Sequence, residues 1–166
     1  DVRVSAYWSI IAGAAGYTYG CNDVWQMYEV GKEPVLKART DWHAALQLPG
    51  STQMGYMKQI FESLPWQKMG LNQNLILNEN PEDQSYSLCA MDSDKQVVVA
   101  YTPTGNPIRI DLKEIDAKNI NAYWYNPRSG KTTHIGTFET TTDQEFKPWS
   151  SGFGSDFLLI VTAENY

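Results

Sequence analysis

A chain of 166 residues, 42% hydrophobic and 19% charged, has the make-up of an ordinary globular protein, with room for one domain or two small ones. A net charge of −6 and the lack of any Lys/Arg cluster exclude a nucleic-acid partner, because binding a phosphate backbone needs a basic face that releases counterions. The longest strongly apolar runs, such as 157–161, fall far short of the ~20 residues a membrane-spanning helix needs, so no membrane span is expected.

Taken in chain order, residues 1–15 read as a helix. Asp1 is placed to cap it, and Val4, Trp8, Ile11 and Ala15 recur at helical spacing until Gly16 supplies a stop. Tyr17-Thr18-Tyr19 then reads as a very short strand entering the loop Gly20-Cys21-Asn22-Asp23. Asp41 is a cap for a helical turn through Leu46. Pro49-Gly50-Ser51 opens a longer helix whose face of Met54, Met57, Phe61 and Leu64 runs until Pro65 ends it. A lone strand cannot satisfy its own backbone groups, so the one at Tyr17–Tyr19 is expected to pair with strands that this sequence does not contain.

From about Asn72 the pattern changes to short strands at 86–91, 97–101, 108–112, 120–125, 132–135 and 157–161. Turn residues such as Asp92-Ser93-Asp94, Thr104-Gly105-Asn106 and Asn126-Pro127-Arg128-Ser129-Gly130 separate them. Strands at this spacing without long helices between them predict an antiparallel β-sandwich. The polar runs Asn72-Gln73-Asn74 and Asn78-Glu79-Asn80-Pro81 suggest a connector between an α-rich part, 1–71, and a β part, 72–166. Cys21 and Cys89 have neither CxxC nor histidine spacing and are read as free thiols; no metal site and no cofactor are indicated. The chain opens at Asp1 with no basic and apolar leader, so any export signal is expected to have been removed or to lie outside this piece.

The block from Asp1-Val2-Arg3-Val4 through Tyr7-Trp8, Gly16-Tyr17-Thr18-Tyr19-Gly20 and Cys21-Asn22-Asp23-Val24-Trp25 to Tyr28 resembles the penultimate helix and last strand of apiosidase-like glycoside hydrolase barrels. Trp42 with Ala44-Ala45-Leu46, residues 48–54, and Ser63-Leu64-Pro65-Trp66 resemble the final helix and exit of the same barrel. From Gln73 onward the chain is similar to the β-sandwich that often follows it, a family named for collagen binding in a collagenase. There, Tyr123-Trp124-Tyr125-Asn126-Pro127-Arg128-Ser129-Gly130 matches an aromatic strand and turn, with Asn126 where Asp is commoner. Ser155-Asp156-Phe157-Leu158-Leu159 matches the final strand, with Phe157 where Trp is common. The resemblance implies an α+β chain: the last helix-strand-helix portion of a (β/α)8 barrel followed by an antiparallel β-sandwich.

Glycoside hydrolysis needs two carboxyl groups flanking the scissile bond, and a barrel presents them at the C-terminal ends of its strands. Asp23 is the only acid close behind Tyr19, so at most one such group comes from this segment. The resemblance places both the acid/base and the nucleophile on earlier strands, so no catalytic residue is assigned here. It also implies a carbohydrate substrate, a secreted or periplasmic location and, as partner, the upstream barrel segment of the same protein. Tyr19, Asn22 and Trp25 are the candidate substrate-binding residues. They stand where barrel loops contact ligands, and a turn-forming or packing role weighs about equally for each. For Asp23 a turn is the plain reading, and for Gln26 the ordinary structural role is favoured. His43 and His134 lack ligand or nucleophile partners, and Glu79, Glu82 and Asp83 do not have EF-hand spacing; ordinary roles are favoured for all five.

Trp124 and Tyr125 should face opposite ways on a strand, with core or loop packing the default for them and for Trp149. The expectation for the whole is a part of a glycoside hydrolase acting on a complex plant-type polysaccharide, with the sandwich as a structural buttress. The alternative is a non-catalytic module that binds carbohydrate or collagen.

Overall fold

The computed structural model describes residues 2–163, so the proposed Asp1 cap lies outside the described residues. Helix α1 spans Val2–Ile11. It ends earlier than the expected stop at Gly16, because Gly13 (φ +100°) closes it while Ala12, Gly13 and Ala14 donate back to Trp8, Ile10 and Ser9. Residues 17–19 are not a strand: among the described residues nothing runs alongside to complete a ladder, and the segment is extended coil. A single helical turn, α2 (Asn22–Trp25), occupies the expected loop. In α3 (Trp42–Ala45) the Asp41 carboxylate accepts from the backbone N–H of His43, the predicted cap. Helix α4 (Pro49–Glu62) starts with Pro in its first turn, and a 3-10 turn at Trp66–Lys68 follows the break at Pro65. Among the described residues no helix is long and apolar enough to cross a membrane.

Among the described residues eight strands follow: β1 (Met69–Leu71), β2 (Leu88–Asp92), β3 (Val97–Thr102), β4 (Ile108–Asp111), β5 (Asn119–Asn126), β6 (Lys131–Glu139), β7 (Asp143–Phe146) and β8 (Phe157–Ala163). Six of them form one sheet in the order β1-β2-β3-β8-β5-β6, antiparallel throughout, and β4 and β7 form a second, two-stranded antiparallel sheet. The sequence pattern misses β1 and β7. The first is three residues with a central glycine, and the second is largely polar, with only Phe146 buried.

The large sheet is covered on both faces. On one side Val98, Ala100, Trp124, Leu159 and Val161 meet Ile108, Ile110 and Phe146 of the small sheet. On the other side Val97, Val99, Tyr101, Leu158 and Ile160 meet Tyr7 and Ile11 of α1 and Met57 and Phe61 of α4. Central strands covered on both faces must be apolar at every position, which is why β3 and β8 read as unbroken hydrophobic runs rather than alternating ones. Each large side chain buried this way contributes roughly 1.5–3 kcal/mol, so the helical layer shares a core with the sheet and is not merely tethered to it.

Two polar features lock that arrangement. The carboxylate of Asp156, 1% exposed, accepts from Arg3 Nε (2.9 Å) and Nη2 (3.0 Å) of α1 and from the Tyr101 hydroxyl (2.9 Å), with Arg128 Nη1 at 3.6 Å. Arg3 also donates to Gln53 of α4, so one buried acid ties two helices to β3 and to the approach to β8. Further on, the polar run expected to be a connector is pinned down: the Gln73 side chain bonds Ser87 O, Cys89 N and the Tyr86 hydroxyl, while Asn80 bonds both backbone groups of Ser87.

Candidate functional site

Residues 20–41 leave the helical layer as an arm whose shape depends on side chains bonding to backbone. Asn22 Nδ2 donates to the carbonyls of Val35 and Leu36, both at 3.0 Å, and Gln26 makes a two-way bond with the backbone of Val35. These bonds hold Leu36 and Lys37 at φ of +51° and +60°, left-handed conformations uncommon for residues with a Cβ. Asp23 Oδ1 accepts from the N–H groups of Arg39 and Thr40, both at 2.7 Å. Those backbone bonds hold its carboxyl below the usual aspartate range, so Asp23 stays ionised as a turn anchor and is unsuited to donate a proton.

The three candidates are therefore placed differently. Tyr19 and Trp25 come together on a hollow of about 360 Å³, with Cys21, Val24 and Leu46. The Tyr19 ring lies on the first turn of α4, where a Cβ on Gly50 would stand 3.0 Å from its hydroxyl, so the glycine makes room for the ring. Partial burial, with Cys21 and Asp23 nearby, raises the Tyr19 hydroxyl above the ordinary tyrosine range and keeps it a protonated donor. Trp25 is 72% exposed, an open indole face beside it. Asn22 instead turns its amide to the loop carbonyls. Its signal was ambiguous in sequence because the same amide serves a turn or a ligand, and only the position of residues 35 and 36 decides which.

The other aromatic and acidic candidates take structural positions. Trp124 and Tyr125 do face opposite ways, and both are buried: Trp124 between the sheets, Tyr125 under the helices with its hydroxyl donating to Tyr56 O at 2.9 Å. Trp149 is more than half exposed, edge-on to Phe157 at 4.7 Å. His43 lies over Trp42 and beside Asp41, and His134 lies against Tyr123. Asp83 accepts from both the N–H and the hydroxyl of Ser85, as a turn does. Both cysteines are free; Cys89 sits in the inter-sheet core, where burial pushes its thiol well up. The Asp156 node was missed in sequence, since a lone Asp before an apolar strand gives no hint that Arg3, 153 positions away, meets it.

Two solved structures superpose on almost the entire chain. One is described as "Glycoside hydrolase", with a TM-score of 0.92 and 31% identity over 99% of this chain and 37% of its own. The other is a glycoside hydrolase family 5 protein from Bacteroides vulgatus ATCC 8482, with a TM-score of 0.93 and 31% identity over 99% of this chain and 36% of its own. The chain thus spans little more than a third of the length of either relative. No curated protein sequence matches it. With the layered fold and the aromatic hollow, these likenesses define a glycosidase-related protein. Residues 72–162 match the family described as "Putative collagen-binding domain of a collagenase", and the chain belongs to it; residues 1–68 match the family described as "Apiosidase-like, catalytic domain".

Proposed function

We propose that this chain is the closing part of a glycoside hydrolase that acts outside the cytoplasm on a complex plant-type polysaccharide. In this reading residues 1–71 complete a (β/α)8 barrel, and the β domain buttresses it. The observation that carries the reading is the superposition of 99% of the chain, at 31% identity, on about a third of a glycoside hydrolase. The arm gives further support: Met27, Val30, Val35 and Leu36 are all exposed along it, more apolar surface than one loop normally shows to water and suited to cover by a neighbouring barrel segment.

On this proposal the Tyr19 and Trp25 hollow is one wall of the sugar subsite. The indole face stacks on the C–H face of a ring, and the Tyr19 hydroxyl donates to a ring substituent. The segment from 17 to 19 gains its ladder partner from the preceding barrel strand. The two carboxylates that cleave the bond come from the rest of the barrel, in keeping with Asp23 being committed to its turn. The sandwich acts by position, since its large sheet spends one face on α1 and α4 and the other on β4 and β7.

The test compares the 166-residue chain with the longest natural gene product containing it, on a panel of plant cell-wall polysaccharides. Release of reducing sugar is expected from the longer protein alone. In that protein Trp25→Ala should lower kcat/KM about tenfold, the equivalent of roughly 1.4 kcal/mol, with an unchanged Tm. Turnover by the 166-residue chain itself would refute the division of labour.

A further inference from the structure

Where α1 meets the β domain, a hollow of about 250 Å³ is lined by Val4, Ser5, Trp8, Gln84, Thr104 and Phe153, among others, and shares no residue with the Tyr19 and Trp25 hollow. A second depression is lined by the same Trp8 together with Glu82, Asp83 and Tyr86. We infer that this seam is a second sugar-binding site, one that takes a ring of a neutral glycan between Trp8 and Phe153. The proposal does not depend on the glycosidase reading.

The aromatic groups are fixed before any ligand arrives. The Trp8 indole N–H donates to Tyr86 O at 3.1 Å, which sets the orientation of a ring that lines both hollows. Phe153 is 89% exposed at the tip of a loop, and Gly152 and Gly154 on either side hold φ of +106° and +80°. That loop is tied down at three points: Gly152 N donates to Thr104 O, Ser155 N donates to Gly152 O, and Arg128 donates to Gly154 O. A phenyl ring held in water by a braced loop costs stability and gives no packing in return, whereas a preset apolar platform lowers the ordering cost of binding.

The polar groups around it suit hydroxyls. Among the described residues the Gln84 amide and the Ser5 hydroxyl have no hydrogen-bond partner and offer both donors and acceptors at the rim. Thr104, which also lines the hollow, has its Oγ1 occluded and equally unpartnered. Flat apolar faces flanked by uncharged donors and acceptors match a sugar ring, with its C–H face and its hydroxyl edge. Charge narrows the class. The bonds from Ser85 hold Asp83 ionised, Glu82 lies beside it, and the chain carries −6 overall, so a uronate would meet like charge.

Isothermal titration of the 166-residue chain tests this with four probes: cellohexaose, xylohexaose, hexagalacturonate and a collagen-mimetic Gly-Pro-Hyp peptide. At least one neutral hexasaccharide should saturate. Phe153→Ala should weaken it about tenfold or more and Gln84→Ala several-fold. Phe153 and Gln84 are exposed, so both variants should keep the wild-type Tm. Hexagalacturonate should bind at least about tenfold more weakly than the neutral ligand. The inference is overturned if neither neutral hexasaccharide saturates at millimolar concentration, or if Phe153→Ala leaves binding unchanged. Tighter binding of the uronate or the collagen peptide in a Phe153-dependent way overturns it too. The polysaccharide assay on the longer protein reads the glycosidase proposal separately, so either can fail alone.

Discussion

Asp156→Asn changes one oxygen for an amide nitrogen and barely alters volume, so its cost isolates the charge that joins the helices to the sheet. In the native protein Arg3 binds both carboxylate oxygens, at 2.9 and 3.0 Å, and the Tyr101 hydroxyl donates to one of them. With asparagine, an N–H₂ group must face at least one of these donors, and the Arg3 guanidinium, its side chain 14% exposed, loses the Asp156 charge. Removing one member of a buried ion pair costs about 3–5 kcal/mol. Arg3 keeps Gln53 as an acceptor and retains some access to water, so the low end, about 3 kcal/mol, is expected. For a chain of 166 residues that is a fall in Tm of roughly 6–12 °C. Urea unfolding followed by far-ultraviolet circular dichroism and by tryptophan fluorescence measures it, with m unchanged if the native state keeps its compactness. The triple variant Arg3→Met, Tyr101→Phe and Asp156→Leu removes both charges together with the hydroxyl that bonds the carboxylate, and should recover part of the loss. A single-variant loss below about 1 kcal/mol, or a triple variant no better than Asp156→Asn, would refute the role assigned to this node.

Alkali probes the same interface. Burial raises Tyr125 to about 12 and pushes Tyr7 and Tyr101 up as well, so above about pH 10 the unfolded chain has lost protons that the native one still holds. Stability should be whole below about pH 10 and drain away as pH rises through about 12, by up to about 1.4 kcal/mol per pH unit per tyrosine; phenolate absorbance should rise with unfolding rather than before it. Gly105→Ala should cost at least about 2 kcal/mol in urea: φ is +67° there, and the new methyl would stand 2.3 Å from Ser150 O and 2.7 Å from Ser155 O, backbone atoms that cannot swing aside. A thiol reagent should label Cys21 in the native protein and Cys89 only on unfolding, which mass spectrometry of the labelled peptides resolves. Residues 73–166 expressed alone should be molten or insoluble, with loss of near-ultraviolet dichroism, because Val97, Val99, Tyr101, Leu158 and Ile160 would face water.

Much of the fold follows from local rules, and its failures have local causes. The Asp41 cap, the Pro49 start of α4 and the strand runs β2, β3, β4, β5, β6 and β8 are set by side chains within a few residues, and so they can be read along the chain. The end of α1 is not legible locally, because Gly13 and Gly16 are both competent stops and the choice rests on which carbonyls remain to be capped. Tyr17–Tyr19 has strand composition without a strand, since β structure exists only with a neighbour. Strands β1 and β7 are too short or too polar to register. Most of all, the unbroken apolar runs of β3 and β8 state that both faces are covered but not by what. The helical layer as that second cover emerges only from contacts far apart in sequence. At the candidate site, Tyr19 and Trp25 line one hollow, while the destination of the Asn22 amide depends on the path of residues 35 and 36, which no local pattern gives.

The shared core constrains how the arm is carried. Tyr19 rests on the first turn of α4, and the far part of that helix is fixed to the sheet through Met57 and Phe61, while Gln53 between them bonds Arg3 and so Asp156. Any tilt of α4 on the sheet would move the Tyr19 ring, and such a tilt must break a buried ion pair together with close-packed apolar contacts. A β domain with no group at the hollow can therefore still control its geometry. Loosening the seam at Asp156, some distance along the helix, should blur the position of Tyr19 without touching it. Comparing the hydrogen exchange of residues 17–25 in the native protein and in Asp156→Asn under conditions where both are folded reads this directly: faster exchange there is expected, and unchanged exchange would mean that the arm is held by Asn22, Asp23 and Gln26 alone.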